Sequence, residues 1–235
     1  MTDNAAFFID FDGTLVEIAE RPHLVEVEPR VLDLLRALIR RLDGAVAVLT
    51  GRPIATVDDF LSPLRLPTGA EHGAVRRDFE GTVHRDFEGR ESLTVVGEAL
   101  ERLVAQNEGL ELERKESSVA LHYRRRPELA DLAKAAVGRA VDDAPDLHVL
   151  DGKMVLEVKV EGLDKGLALE AFMAEDPFLG RVPVMIGDDV TDEYAFAAAN
   201  KAGGISIKIG EGDTLAAYRT DRQGFLDWLS AFVRI

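Results

Sequence analysis

The 235-residue sequence contains no cysteine. Disulfide scaffolds, thiolate zinc sites, iron–sulfur clusters and cysteine nucleophiles are therefore excluded. No apolar run approaches the roughly 18 residues that a transmembrane helix needs. The start of the chain lacks a basic segment, and its first apolar stretch, Ala5 to Ile9, is cut by Asp10. A buried strand is expected there rather than a signal peptide, with the cytoplasm as the location. Basic residues are also scarce: 28 Lys and Arg against 43 Asp and Glu give a net charge of −15. So acidic a chain has no general attraction for nucleic acid or an anionic membrane, and neither is expected as a partner. An anionic substrate would have to be met by local cations or a metal.

What is present is ordinary for a folded protein. Hydrophobic residues make up 46% and charged residues 30%, which is wrong for disorder and enough for one large domain or two small ones. Ala5 to Ile9 and Ala45 to Leu49 are short continuous apolar runs, the signature of central parallel strands covered on both faces. Between them, Pro29 to Leu42 carries an apolar stripe through Val31, Leu34, Leu35, Leu38 and Leu42 and predicts a helix. Pro53 opens another helix. The same alternation returns with a helix over 163–173, a strand over 182–186, a helix over 192–200, a strand over 205–209 and a terminal helix through Phe225, Trp228, Leu229 and Phe232. This is an α/β parallel sheet. The middle differs. It predicts a hairpin from Ala74 to Phe79 and Val83 to Phe87, a helix over 93–106, strands over 110–115 and 119–123, a helix over 127–141 and a strand pair turning at Asp151-Gly152. The expected organisation is a Rossmann-like core over 1–73 and 161–235, split by an α+β insert over 74–160.

Four polar elements follow predicted strands or open helices: Asp10-Phe11-Asp12-Gly13-Thr14, Thr50-Gly51-Arg52, Lys165-Gly166 and Gly187-Asp188-Asp189-Val190-Thr191-Asp192-Glu193. Ligands of open parallel sheets bind at that edge. Asp10, Asp12, Asp188, Asp189 and Asp192 would crowd one crevice, and crowded carboxylates either raise one another's pKa or need a cation. An all-oxygen site favours Mg²⁺, which shares its shell with substrate phosphate. Lys165 and Thr50 add a cation and a hydroxyl for a phosphoryl group, and Gly13 allows close backbone approach. On an extended segment Asp10 and Asp12 point the same way. One can attack phosphorus while the other moves protons. Taken singly, each element also reads as a polar turn or a helix N-terminus. Their conjunction in this order does not.

In that order the four elements resemble those of the haloacid dehalogenase-like phosphatases. The resemblance implies a nucleophile at Asp10, an acid/base at Asp12, phosphoryl ligands at Thr50 and Lys165, and Mg²⁺ held by Asp10, the backbone carbonyl of Asp12, and Asp188. It makes Asp192 an auxiliary acid and the insert an α/β cap. Further segments, Gly-Ala-Glu-His-Gly-Ala from 69, Ala-Leu-His-Tyr-Arg from 120, and Glu-Val-Lys at 157 ahead of Asp-Lys-Gly at 164, resemble the trehalose-phosphatase branch of that superfamily. The resemblance spans about residues 5 to 220 and implies hydrolysis of trehalose 6-phosphate by a monomer, through an aspartyl-phosphate.

Within the insert, Glu113 and Lys115 share a strand face, as do Lys153 and Glu157, and Arg124 ends another strand. Such acid–base pairs suit a hydroxyl-rich glycan, and equally suit a solvated strand face. By resemblance, Glu113, Lys115, Arg124, Lys153 and Glu157 contact the sugar, with Gly51 and Arg52 reaching it from the core. Another capped sugar-phosphate phosphatase, acting for instance on sucrose phosphate, a sugar phosphomutase and a non-catalytic sugar-phosphate sensor are the alternatives.

Overall fold

A computed structural model describes residues 4–19, 24–85, 90–152 and 154–234. The chain divides into two compact units, residues 1–85 with 164–235 and residues 86–163.

The first unit is built on an eight-stranded sheet. Its centre is β1 (Ala5–Asp10), flanked by β2 (Val46–Leu49) on one side and β10 (Val182–Gly187) on the other, all parallel. Outward from β2 lies β3 (Thr68–Ala70), and outward from β10 lie β11 (Ile205–Ile209) and β12 (Tyr218–Thr220), again parallel. The chain thus builds one half of the sheet from β1 to β3 and the other from β10 to β12, and reverses direction between β1 and β10. That seam is a topological switch point, where the strand ends leave a crevice.

The apolar run at β1 is continuous because helices cover both its faces. Phe7 stacks with Trp228 and Phe232 of α7 (Arg222–Arg234), while Phe8 faces the other way to Phe172 of α5 (Lys165–Met173) and to Phe178. Each fully buried ring of this kind contributes about 1.5–3 kcal/mol by its burial. Helix α1 (Pro29–Arg41) packs beside α7, and α6 (Asp192–Lys201) beside α5. Pro53 stands just ahead of α2 (Ile54–Leu61) as its cap residue rather than as its first helical residue.

One expected boundary is corrected. Strands β4 (Val75–Arg77) and β5 (Val83–His84) do form an antiparallel hairpin, but it pairs with β3 and extends the first unit's sheet instead of opening the insert. The reason is Arg77. Its guanidinium is buried, pairs with both carboxylate oxygens of Asp58 on α2 at 2.7 Å, and donates to the Leu66 carbonyl. Phe87, the expected end of this hairpin, lies outside the described residues.

The second unit is a four-stranded antiparallel sheet in the order β6 (Glu111–Arg114), β7 (Ser118–His122), β9 (Val155–Val160), β8 (Leu147–Gly152). Alternation sets its two faces. Val119, Leu121, Leu156 and Val158 join Leu93, Val96 and Leu100 of α3 (Arg90–Gln106) and Val137 of α4 (Ala130–Val141) in a separate core. The opposite face carries Glu113, Ser118, His122 and Glu157. No helix among the described residues is long and apolar enough to cross a membrane.

Candidate active site

The seam between β1 and β10 gathers the acidic residues. Ile9 is level with Ile186, so Asp10 and the Asp188 loop leave the sheet side by side. Asp10 is 4% exposed, Lys165 2% and Asp192 not exposed at all. Lys165 Nζ donates to Asp10 Oδ1 and to Asp192 Oδ1, both at 2.7 Å. Asp192 Oδ2 accepts the amides of Asp188 and Asp189, each at 3.0 Å. Helix α5 begins where it does because the Asp164 carboxylate caps the amides of Gly166 and Leu167, and this puts Lys165 in the first turn, beside Asp10. Gly13, with φ of +81°, passes so close to Asp188 that a β-carbon there would strike the carboxylate.

Charge in the site is unbalanced. Asp10, Asp188 and Asp192 offer oxygens within 4.8 Å of one another, and Lys165 pairs with only two of the three carboxylates. Burial pushes the Asp10 carboxyl well above the usual range, and the charges of Asp192 and Asp188 add to it against the pull of Lys165. Asp188 is raised by burial and by Asp192. Lys165 is pushed up, because the attraction of Asp10 and Asp192 outweighs its burial. Asp188 Oδ1 is buried with no hydrogen-bond partner. An all-oxygen cluster with excess negative charge and an unsatisfied buried oxygen fits a hard divalent cation. Since Asp192 is already engaged through both oxygens, Asp10 and Asp188 are the side chains able to hold it.

The Asp12 carboxylate is directed elsewhere. Arg52 Nε and Nη2 each donate to one of its oxygens at 2.6 Å. Thr50, also buried, accepts the Arg52 amide on its hydroxyl at 3.1 Å. Gly51 lies between them.

In the second unit, Glu157 Oε1 accepts from Lys115 Nζ at 3.1 Å and from Ser118 Oγ at 2.7 Å. Glu113 bonds His122 at 3.1 Å. That bond, with the charge of Lys115, holds the Glu113 carboxyl below its usual range. Of the expected sugar contacts, Glu113, Lys115 and Glu157 therefore share one polar sheet face. Arg124 lies exposed in the turn after β7, and Lys153 lies outside the described residues. Sequence reasoning missed Ser118 and Lys208. Lys208 is buried on β11, and its ammonium donates to the Asp188 carbonyl. A lysine among the apolar residues of Ile205 to Ile209 was the available signal.

A doubly wound sheet with buried aspartates, a lysine and a threonine at its switch point places the chain in a fold class shared with a solved phosphatase of the haloalkanoate enzyme superfamily from Bacteroides thetaiotaomicron, at a TM-score of 0.65 and 15% identity, a likeness of fold alone. The model of the trehalose-phosphatase family matches residues 8–226, and the chain belongs to that family of phosphate-monoester hydrolases. The trehalose-6-phosphate phosphatase of Escherichia coli K12 is 41% identical over 214 residues, which cover 91% of this chain and 80% of that protein. A probable trehalose-phosphate phosphatase of Sinorhizobium fredii is 42% identical over 212 residues, 88% of this chain and 78% of that one. The crystal structure of a trehalose-6-phosphate phosphatase related protein superposes with a TM-score of 0.76 at 28% identity, covering 97% of each chain.

Proposed function

We propose that this chain hydrolyses trehalose 6-phosphate to trehalose and inorganic phosphate, the final step in making that disaccharide. The observation that carries the reading is Asp10: a buried carboxylate at the switch point, oriented by Lys165 through one oxygen and adjacent to Asp188. Asp10 attacks phosphorus, the bond from phosphorus to the sugar oxygen breaks, and the departing alkoxide takes a proton from Asp12. Water then attacks the aspartyl-phosphate, Asp12 accepts its proton, and Asp10 is restored as phosphate leaves. For the first step Asp12 must give a proton to the departing oxygen, and in this structure Arg52 holds both of its carboxylate oxygens. Engagement of Arg52 by the sugar would release the Asp12 carboxyl toward the departing oxygen.

Thr50 and Lys165 hold the transferring group. Asp10, the carbonyl of Asp12, and Asp188 would hold Mg²⁺, which when bound supplies positive charge facing the phosphate oxygens. The polar sheet face of the second unit reads the disaccharide: Glu157 and Glu113 accept from hydroxyls, and Lys115 donates. By the resemblance, Lys153 and Arg124 also contact the sugar.

The test is phosphate release from trehalose 6-phosphate beside glucose 6-phosphate and sucrose 6-phosphate, with Asp10→Asn as control. Release is expected chiefly from trehalose 6-phosphate and is expected to vanish in the variant. A folded Asp10→Asn protein with full turnover would overturn the nucleophile, and preference for sucrose 6-phosphate would overturn the substrate.

A further inference from the structure

Between β3 and β4 the chain turns through Glu71, His72 and Gly73 with φ of +49°, +59° and +101°. Successive left-handed residues are unusual, and each one that carries a β-carbon costs conformational energy relative to glycine. Glycine stands at 69 and 73, so the turn keeps side chains at the two positions where glycine would relieve the strain.

Its contacts show what the turn braces. The Glu71 amide donates to the Arg52 carbonyl at 3.2 Å and the His72 amide to the Thr50 carbonyl at 2.9 Å. The two carbonyls on either side of Gly51 are therefore both held. The His72 ring lies directly against Gly51, where a β-carbon would strike Cε1 and Nε2. At the next residue, a β-carbon on Gly73 would strike the carbonyl of Asp164, the cap of α5 immediately before Lys165. One strained turn touches both the Thr50–Arg52 loop and the start of the helix that carries Lys165.

We propose that His72 is a positioning residue: its ring, pressed onto Gly51 by the left-handed backbone, fixes the Thr50 hydroxyl and Arg52 where the phosphoryl group and substrate meet them. This rests on the phosphatase reading above. Backbone hydrogen bonds hold the loop's carbonyls, and the ring restrains the loop from the side that glycine leaves bare. Stability and activity then depend on different parts of the same residue.

The variants are His72→Gly, which keeps the turn's hydrogen bonds, removes the strain and deletes the ring, and His72→Ala, which keeps the strain and deletes the ring. The readouts are Tm, the Kd of inorganic phosphate, and kcat/KM on trehalose 6-phosphate and on a small aryl phosphate. For His72→Gly, Tm is expected at or above that of the unaltered protein, with weaker phosphate binding and kcat/KM on both substrates lower by about tenfold to a hundredfold, the range for slight misplacement of reacting groups. His72→Ala is expected to lose the same activity with a lower Tm. Unchanged kinetics and phosphate affinity in His72→Gly would overturn this inference while leaving the phosphatase reading in place. Parallel loss of Tm and activity in His72→Gly would reduce the residue to a packing role and equally overturn it. An unaltered protein that releases no phosphate from either substrate would overturn the underlying reading and this inference with it.

Discussion

Arg52 grips both oxygens of Asp12 through Nε and Nη2 at 2.6 Å, while its guanidinium lies over the rings of Phe11 and Phe60 at 5.6 and 5.1 Å. The fork matches a carboxylate and the plane matches the rings, and lysine has neither property. Arg52→Lys is therefore expected to fold normally and to behave as a loss of function. A charge-assisted hydrogen bond is worth about 1.5–3 kcal/mol, so kcat/KM on the sugar phosphate should fall by about tenfold to a hundredfold. Steady-state kinetics beside a thermal melt decide it. Unaltered kcat/KM would remove Arg52 from the site.

Lys165 is the sole cation bonded to Asp10 and Asp192 among the described residues. Its removal leaves two buried carboxylates uncompensated, which costs about 3–5 kcal/mol. At about 2–4 °C per kcal/mol for a chain of this size, Lys165→Met should lower Tm by roughly 6–20 °C. Lys165→Met with Asp192→Asn should recover part of that loss, because one of the stranded charges is gone. A double variant no more stable than the single one would mean that packing, not charge, accounts for the loss.

Acid sensitivity should come partly from Asp58. Burial works to raise its carboxyl, but the hydrogen bonds and charge of Arg77, helped by Arg65, outweigh burial and hold it below the ordinary 3.8. A folded-state pKa below the unfolded one adds stability that is fully present above the unfolded value and is lost as pH falls through the folded one. The window lies at and below about pH 4. Asp58→Asn should be less stable than the unaltered protein at pH 7, because Arg77 keeps its buried charge without a partner. The gap should narrow as pH drops below 4. Urea midpoints at pH 7 and pH 3.5 measure both, and a gap independent of pH would refute the link.

The parts of this molecule that could be read from sequence are those where local pattern and tertiary role coincide. Ala5 to Ile9 is apolar throughout because β1 is covered on both faces, and Asp10 and Asp12 stand out because they end it. The hairpin over 75–84 was legible as a hairpin but not as part of the core, since its allegiance depends on Arg77 reaching Asp58, a contact across 19 residues of chain. Asp192 reads as a helix-start acid, and only the fold shows it joining Lys165 to the amides of Asp188 and Asp189. Lys208 was hard to read for a related reason: it stands out in an apolar strand, but a strand lysine ordinarily faces solvent, and this one is drawn inward by a backbone carbonyl.

The unpartnered oxygen of Asp188 gives a test of metal binding that does not depend on turnover. A cation that binds the folded state alone stabilises it by about 2.7 kcal/mol at a hundred times its Kd. Mg²⁺ should raise the Tm of the unaltered protein. Asp188→Asn removes one of the clustered charges, so without metal it should match or exceed the unaltered protein in Tm, and it should lose the response to Mg²⁺. A variant that still responds fully would place the ion elsewhere.

On the proposed reading, a change at Glu157 should separate sugar recognition from phosphoryl chemistry. Its carboxylate is fixed by Lys115 and Ser118 on the polar sheet face, an arrangement suited to presenting an acceptor to a hydroxyl. Losing an acceptor from a charged group costs about 1.5–3 kcal/mol of binding in the transition state. Glu157→Ala should therefore lower kcat/KM for trehalose 6-phosphate by about tenfold to a hundredfold and leave a small aryl phosphate, which has no sugar to read, nearly unaffected. Ser118→Ala should produce a weaker version of the same split, because Lys115 still orients the carboxylate. Equal losses on the two substrates would show that Glu157 supports the fold of the second unit and does not read the sugar.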